Sequence, residues 1–254
     1  MSRALVIGVN TFRETLRDKI LYNLVIFALL LIGSSVLLVR LNYGDSAKLI
    51  LDLGLASLNV FGIIMAIFLG IGLVSKEIDS RTIATIISKP MHRYEFLLGK
   101  YLGLLLTLGV NTLLMLAGLL GVLMLLEVPI EPLLFQTVLL IFVELMIITA
   151  VALLFSTFTT TAMSATFTLS VYVIGHLLRD LKTVSMKLDS GSRLLMNGLY
   201  YALPNLEDFN RKSQVAYHIE MGTSEMVWTV AYGLLYTMFL LAMAALIFQR
   251  RDFR

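Results

Sequence analysis

One carboxylate stands in the most apolar part of this chain. Between Pro132 and Leu178 the only charged residue is Glu144. A carboxyl group so placed is costly and is a functional candidate by default. Asn59 and Asn111 lie in other apolar runs and could share a polar seam with it. Three roles fit such a group: a helix–helix hydrogen bond that fixes packing, a place on a substrate path or conformational switch, or a proton relay. The relay needs a second titratable partner, and the sequence offers none nearby. His176, near the outer end of the same run, reads as an interfacial residue.

Other chemistry is largely excluded. The histidines, His92, His176 and His218, are far apart, and no H-E-x-x-H occurs. Leu97–Lys100 ends in Gly-Lys, but position 94 is Tyr, and no Ser or Thr follows, so it is not a phosphate-binding loop. With no cysteine, disulfides and thiolate metal sites are ruled out. No basic–aromatic surface suggests nucleic acid. The expectation is a chain with no catalytic, cofactor or metal residues of its own.

The elements that would hold Glu144 follow from hydropathy. The chain of 254 residues is 58% hydrophobic, above the usual 45–50% of soluble domains. The excess is gathered into charge-free runs: Ile20–Val39, Leu53–Ser75, Tyr101–Leu126 and Met226–Gln249. About 20 apolar residues cross a bilayer as a helix, so the run from Pro132 to Leu178 is long enough for two spans. Ser156–Thr161, STFTTT, is the polar break between them. The fold class expected is an all-α polytopic membrane protein, a single domain over 1–254. Its six transmembrane helices lie near 20–39, 54–75, 100–126, 133–155, 161–178 and 226–248. Helices satisfy their own backbone hydrogen bonds, which lipid requires.

An even number of spans puts both termini on one side. Placing them in the cytoplasm leaves 12 of the 20 Lys and Arg inside, from Arg3 through Lys19, Lys76 through Lys100 and Arg250 through Arg254. No cleavable signal peptide is visible at the start. Residues 1–19 read as an amphipathic interfacial helix, with Leu5, Val9, Phe12, Leu16 and Ile20 at helical spacing. Gly62, Ala66 and Gly70, and again Gly99 and Gly103, are small-residue seams for close helix packing. In the long outer connection, Leu194, Leu195, Leu199 and Tyr200 suggest a short interfacial helix ending near Pro204.

The densest charge lies between the second and third spans: Lys76, Glu77, Asp79, Arg81, Lys89, Arg93, Glu95 and Lys100. Within it Ile83, Ile86 and Ile87 form an apolar patch, and Pro90 breaks the helix at Lys89. A plain connector needs no isoleucine cluster. An apolar patch rimmed by charge reads as a docking surface.

This stretch resembles a known signature. E-x-x-x-R-T-I-x-x-I-I-S-K-P-x-x-R-x-E-F-x-x-G-K, Glu77 to Lys100, is similar to that of ABC-2-type permeases, the membrane subunits of ABC transporters. Asn10–Tyr22 and Leu199–Asn210 are similar too, and lean toward the group linked to multicopper-enzyme maturation and gliding motility. Many members have Gly-Thr where this chain has Arg81-Thr82. The resemblance implies a dimer with a second permease copy or a homologous permease, bearing two separate ATPase subunits that bind ATP and Mg. It also implies that the loop is a coupling helix seated on the ATPase. Glu77, Arg81, Thr82, Pro90, Arg93 and Glu95 would belong to that coupling region, with the isoleucines at its centre. The expected home is a bacterial or archaeal cytoplasmic membrane, with lipids as further partners, and export is the family's usual direction. The spans offer few polar groups, so an apolar or lipid-linked cargo fits better than a large hydrophilic one. The alternatives are an ion-coupled secondary transporter or channel using Glu144, and an ABC assembly that transmits force without transport.

Overall fold

The structure, a computed structural model, describes residues 3–41, 46–79, 93–185, 196, 198, 200–216 and 222–250. Six helices in it are long and apolar enough to cross a membrane. In chain order the helices are α1 (Arg3–Thr15), α2 (Lys19–Leu41), α3 (Ser46–Asp79), α4 (Arg93–Leu125), α5 (Pro132–Ser156), α6 (Thr161–Ser185), a 3₁₀ turn (Leu206–Phe209), α7 (Lys212–Ala216) and α8 (Thr223–Arg250). The described residues contain no strand, so the all-α polytopic reading holds. The six spans are α2, α3, α4, α5, α6 and α8. Alternation of the spans puts α1, the end of α3, the start of α4, the α5–α6 turn and the end of α8 on one face, the terminal face. The α2–α3 and α4–α5 connections and the long connection before α8 lie on the opposite face.

Two spans start earlier than their charge-free runs. α3 begins at Ser46 rather than near 54, and α4 at Arg93 rather than near 100. Lys48, Asp52 and Lys100 interrupt the hydropathy but not the helices. A long cation can lay its stem along an apolar surface and keep its head in a polar layer; Lys100 sits over the Phe96 ring, 5.4 Å from its centroid.

α5 is the centre of the bundle. It is apolar on every side, as a helix surrounded by others must be, and it packs against α3, α4, α6 and α8. Glu131 precedes it in extended conformation without a side-chain cap, and Pro132 takes the first turn, where a missing N–H costs nothing. Its far end closes on the expected polar break: Thr157 and Thr159 hydroxyls donate to the carbonyls of Leu154 and Phe155. The outer helices present apolar side chains outward. Leu37 on α2, Leu125 on α4, and Trp228, Leu235 and Met238 on α8 are each more than three-fifths exposed, as lipid-facing residues are.

Both small-residue seams lie inside the chain. A Cβ at Gly62 would stand 2.9 Å from Leu145 Cδ1, and one at Gly70 would stand 2.6 Å from Ala152 Cβ, so α3 lies close along α5. A Cβ at Gly99 would stand 2.6 Å from the Ala4 carbonyl oxygen, and one at Gly103 would stand 2.5 Å from that of Gly8. The seam of α4 is thus filled by α1. This fixes which side of α1 meets protein: Gly8 and Thr11 are buried, whereas Leu5, Val6 and Val9 remain exposed; the helix stops at Thr15, so Leu16 and Ile20 of the expected stripe lie outside it. Leu5 and Val9 of the apolar stripe therefore face outward, Phe12 is half-buried, and Gly8 faces α4 with Ile7 and Thr11 beside it. Gly103→Val should force the two backbones apart and cost about 1–3 kcal/mol, the usual range for overpacking. A thermal melt in detergent should show it, and Gly121→Val on the same helix, where a Cβ meets nothing within 4 Å, should not.

Candidate functional site

The seam between α3 and α5 positions the polar centre of the molecule. Asn59 lies one turn before Gly62, on the helix face that carries Gly62, Ala66 and Gly70. The two helices run parallel, so close approach at Gly62 brings Asn59 level with Glu144. Glu144 is fully buried and Asn59 nearly so. Asn59 Nδ2 donates to Glu144 Oε2 at 2.8 Å.

The other edge of Asn59 is occupied as well. Its Oδ1 accepts from the Lys212 ammonium at 3.0 Å and from the Tyr172 hydroxyl at 3.3 Å. The partners dictate this orientation of the amide: an ammonium can only donate and a carboxylate can only accept. Asn59 is thus a bridge between a cation and an anion that do not meet directly. On α6, Tyr172 and His176 are one turn apart and share a face, with ring centroids 4.6 Å apart. His176 Nε2 lies 3.4 Å from Glu144 Oε1, and its Nδ1 lies 3.2 Å from the Tyr172 carbonyl oxygen. Both ring nitrogens face oxygens, so a neutral ring can serve one of them and a protonated ring both.

Lys212 reaches the centre because its segment turns inward. After Pro204 the chain enters the bundle from the opposite face, and Leu206, Phe209 and Val215 are almost wholly buried. Glycines receive it. A Cβ at Gly175 on α6 would stand 2.8 Å from Leu206 Cδ1 and 2.9 Å from the Pro204 carbonyl oxygen; one at Gly233 on α8 would strike Val143 and meet Phe209 Cζ at 3.0 Å. At the rim Arg179 pairs with Asp208 at 2.7 Å and Arg211 with Glu225 at 2.5 Å. Tyr236 donates to the Ala202 carbonyl and Tyr232 accepts from the Asn205 N–H. Burial pushes the Lys212 ammonium below the ordinary lysine value, with Glu144 and then Glu207 opposing the shift.

The sequence candidates divide accordingly. Glu144 and Asn59 come together. Asn111 does not join them; its amide meets Met65 Sδ at 3.5 Å. His176 is not a plain interfacial residue, since it faces Glu144, and Lys212 is no solvated loop charge. Of the docking region, Glu77 lies in the last turns of α3, Arg93 opens α4, and Glu95 is half-buried in the first turn of α4. Arg81, Thr82, Ile83, Ile86, Ile87 and Pro90 lie outside the described residues, as do Leu194, Leu195 and Leu199 of the expected outer helix. Tyr200 is described there, and its ring packs on Tyr201 at 5.4 Å. Among the described residues no group of three or more His, Cys, Asp or Glu is placed to hold a metal ion.

A central span packed against four others, with a polar bridge at its middle, is the core of a membrane-embedded bundle. Comparison with known proteins bears on which kind. No curated protein matches the chain. A family model does, the one described as ABC-2 family transporter protein, over residues 5–253. With nearly every residue covered in one continuous match, this chain belongs to the ABC-2 family of transporter membrane proteins.

Proposed function

We propose that this permease is one half of a dimeric exporter, driven by separate cytoplasmic ATPase subunits that bind ATP and Mg. The second half is another copy or a homologous permease, and both termini face the cytoplasm of a bacterial or archaeal cell. Family membership carries the reading, and one structural observation supports it. α3 and α4 have 34 and 33 residues, about 50 Å each at 1.5 Å per residue, against a hydrocarbon core of about 30 Å. Both overrun the membrane, and the chain between them, 80–92, is the expected coupling segment. A rigid helix on each side of that segment is what transmission into the bundle requires.

Charge reversal at Glu77 or Arg93 should lower substrate-stimulated ATPase activity several-fold while the permease stays folded, because rim charges orient an interface more than they hold a fold. Purification of the native complex should bring down an ATPase of separate sequence. Wild-type coupling in both reversal variants, or a partnerless permease, would count against the assignment.

A second reading gains from one observation. An ion-coupled transporter needs a titratable partner for Glu144, and His176 stands 3.4 Å away. Transport that persists without ATP and is lost in Glu144→Gln would favour it.

A further inference from the structure

We propose that residues 204–216 are a removable plug in the opposite face of the bundle, and that their seat depends on Glu144 because it brings the half-buried Lys212 to the polar centre. The plug carries its own apolar anchors, Leu206, Phe209 and Val215. It rests where α6 and α8 present glycine, so its backbone comes nearer to Gly175 than any side chain there would permit. Its rim pairs are partly open to solvent, with Arg179 58% and Glu225 55% exposed, so they add little grip.

Lys212 opposes this apolar seat. Its lowered proton affinity means that the ammonium is less at ease in the seat than out of it. The groups that face it are Asn59 on α3, Glu144 on α5, Tyr172 and His176 on α6, and Glu207 in the 3₁₀ turn. Glu144 is the buried counter-charge, acting through Asn59. A plug held by apolar contacts alone would be hard to release. One that carries a half-buried cation stays seated only while the anion beneath it is in place, so any rearrangement of α3 against α5 that moves Glu144 favours release. The proposal concerns the resting chain and stands whether or not ATP drives the transporter.

The chain has no cysteine, so single thiols can report on the seat. Leu206→Cys, with Val215→Cys as a second reporter, is labelled in permeabilised native membranes with a charged maleimide. Tyr201→Cys, 81% exposed, gives the open rate, and Leu108→Cys, 1% exposed, reports the bundle core. In the otherwise unaltered chain the plug thiols should react at least about tenfold more slowly than position 201, since burial protects until local opening. Glu144→Gln keeps an amide-sized partner for Asn59 but removes the counter-charge, and should speed plug labelling about tenfold while position 108 stays protected. Adding Lys212→Met should restore the slow rate. Three results would each overturn the proposal: plug thiols as reactive as position 201, equal acceleration by Glu144→Gln with and without Lys212, or acceleration that extends to position 108.

Discussion

Asn59→Leu should be the most damaging single substitution in the bundle. It removes the acceptor of Lys212 and Tyr172 and the donor to Glu144 in one step. A neutral hydrogen bond between membrane helices is worth only about 0.6 kcal/mol on average, because the unfolded chain in the membrane also finds partners. That figure does not apply where charges are orphaned. Leaving a buried group without its hydrogen-bond partner costs about 1–3 kcal/mol, and more when the group is charged. The loss expected for Asn59→Leu is therefore on the order of 3 kcal/mol, allowing for some water entering beside Lys212. Asn111→Leu is the control. Its amide meets a thioether at 3.5 Å, a weak contact, so the change should cost under about 1 kcal/mol. Unfolding in mixed micelles, monitored for both variants, should separate them clearly. Equal losses would mean that Asn59 holds two helices together and nothing more. Lys212→Met should recover part of the Asn59→Leu loss, since it removes one of the two charges left unmatched.

The contrast between the two asparagines also marks what the sequence could say. Both stand in apolar runs, and both were reasonable partners for Glu144. The spacing of Gly62, Ala66 and Gly70 defines a face of α3 and includes Asn59, one turn earlier. The partner of that face is not written in the spacing. The six spans were legible because lipid forces long apolar runs, and their ends were blurred where Lys48, Asp52 and Lys100 sit within helices. Lys212 was not legible, for a different reason. It lies 153 residues from Asn59 in a connection that is rich in charge, and such charges usually face water. Leu206, Phe209 and Val215 draw it inward, and nothing local distinguishes them from a surface turn. α1 teaches the same lesson from the other side. Its spacing of Leu5 and Val9 defines an apolar stripe, but between membrane helices small residues allow the close approach, while lipid is as good a solvent for leucine as another helix. Gly8 faces α4 and Leu5 faces outward.

If the proposed coupling through 80–92 holds, replacing those residues by a Gly/Ser segment of equal length should abolish ATP-driven transport while leaving the bundle as stable as before. A bound nucleotide can shift a distant equilibrium only through contacts that differ between its two states. Moving a two-state element from 1:99 to 99:1 takes about 5.5 kcal/mol of such difference. On the proposed reading all of it crosses between the ATPase and the chain at this segment. From there α3 carries it through Gly70 and Gly62 to Leu145 and Glu144 on α5, and α4 carries it through Gly103 to α1. A flexible linker has neither the docking side chains nor the stiffness to pass it on. Substrate-stimulated ATPase activity should fall to its basal rate, whereas charge reversal at Glu77 or Arg93 should weaken it only several-fold. The melting transition should hardly move, because the core side chains around α5 are untouched. Transport at the original rate in the linker variant would remove the segment from the mechanism. Loss of transport together with a lower melting point would make it a structural strap. Lys76→Pro separates these outcomes further: it keeps Glu77 and the segment 80–92 but breaks the rigid end of α3, and should uncouple the transporter nearly as fully as the linker does.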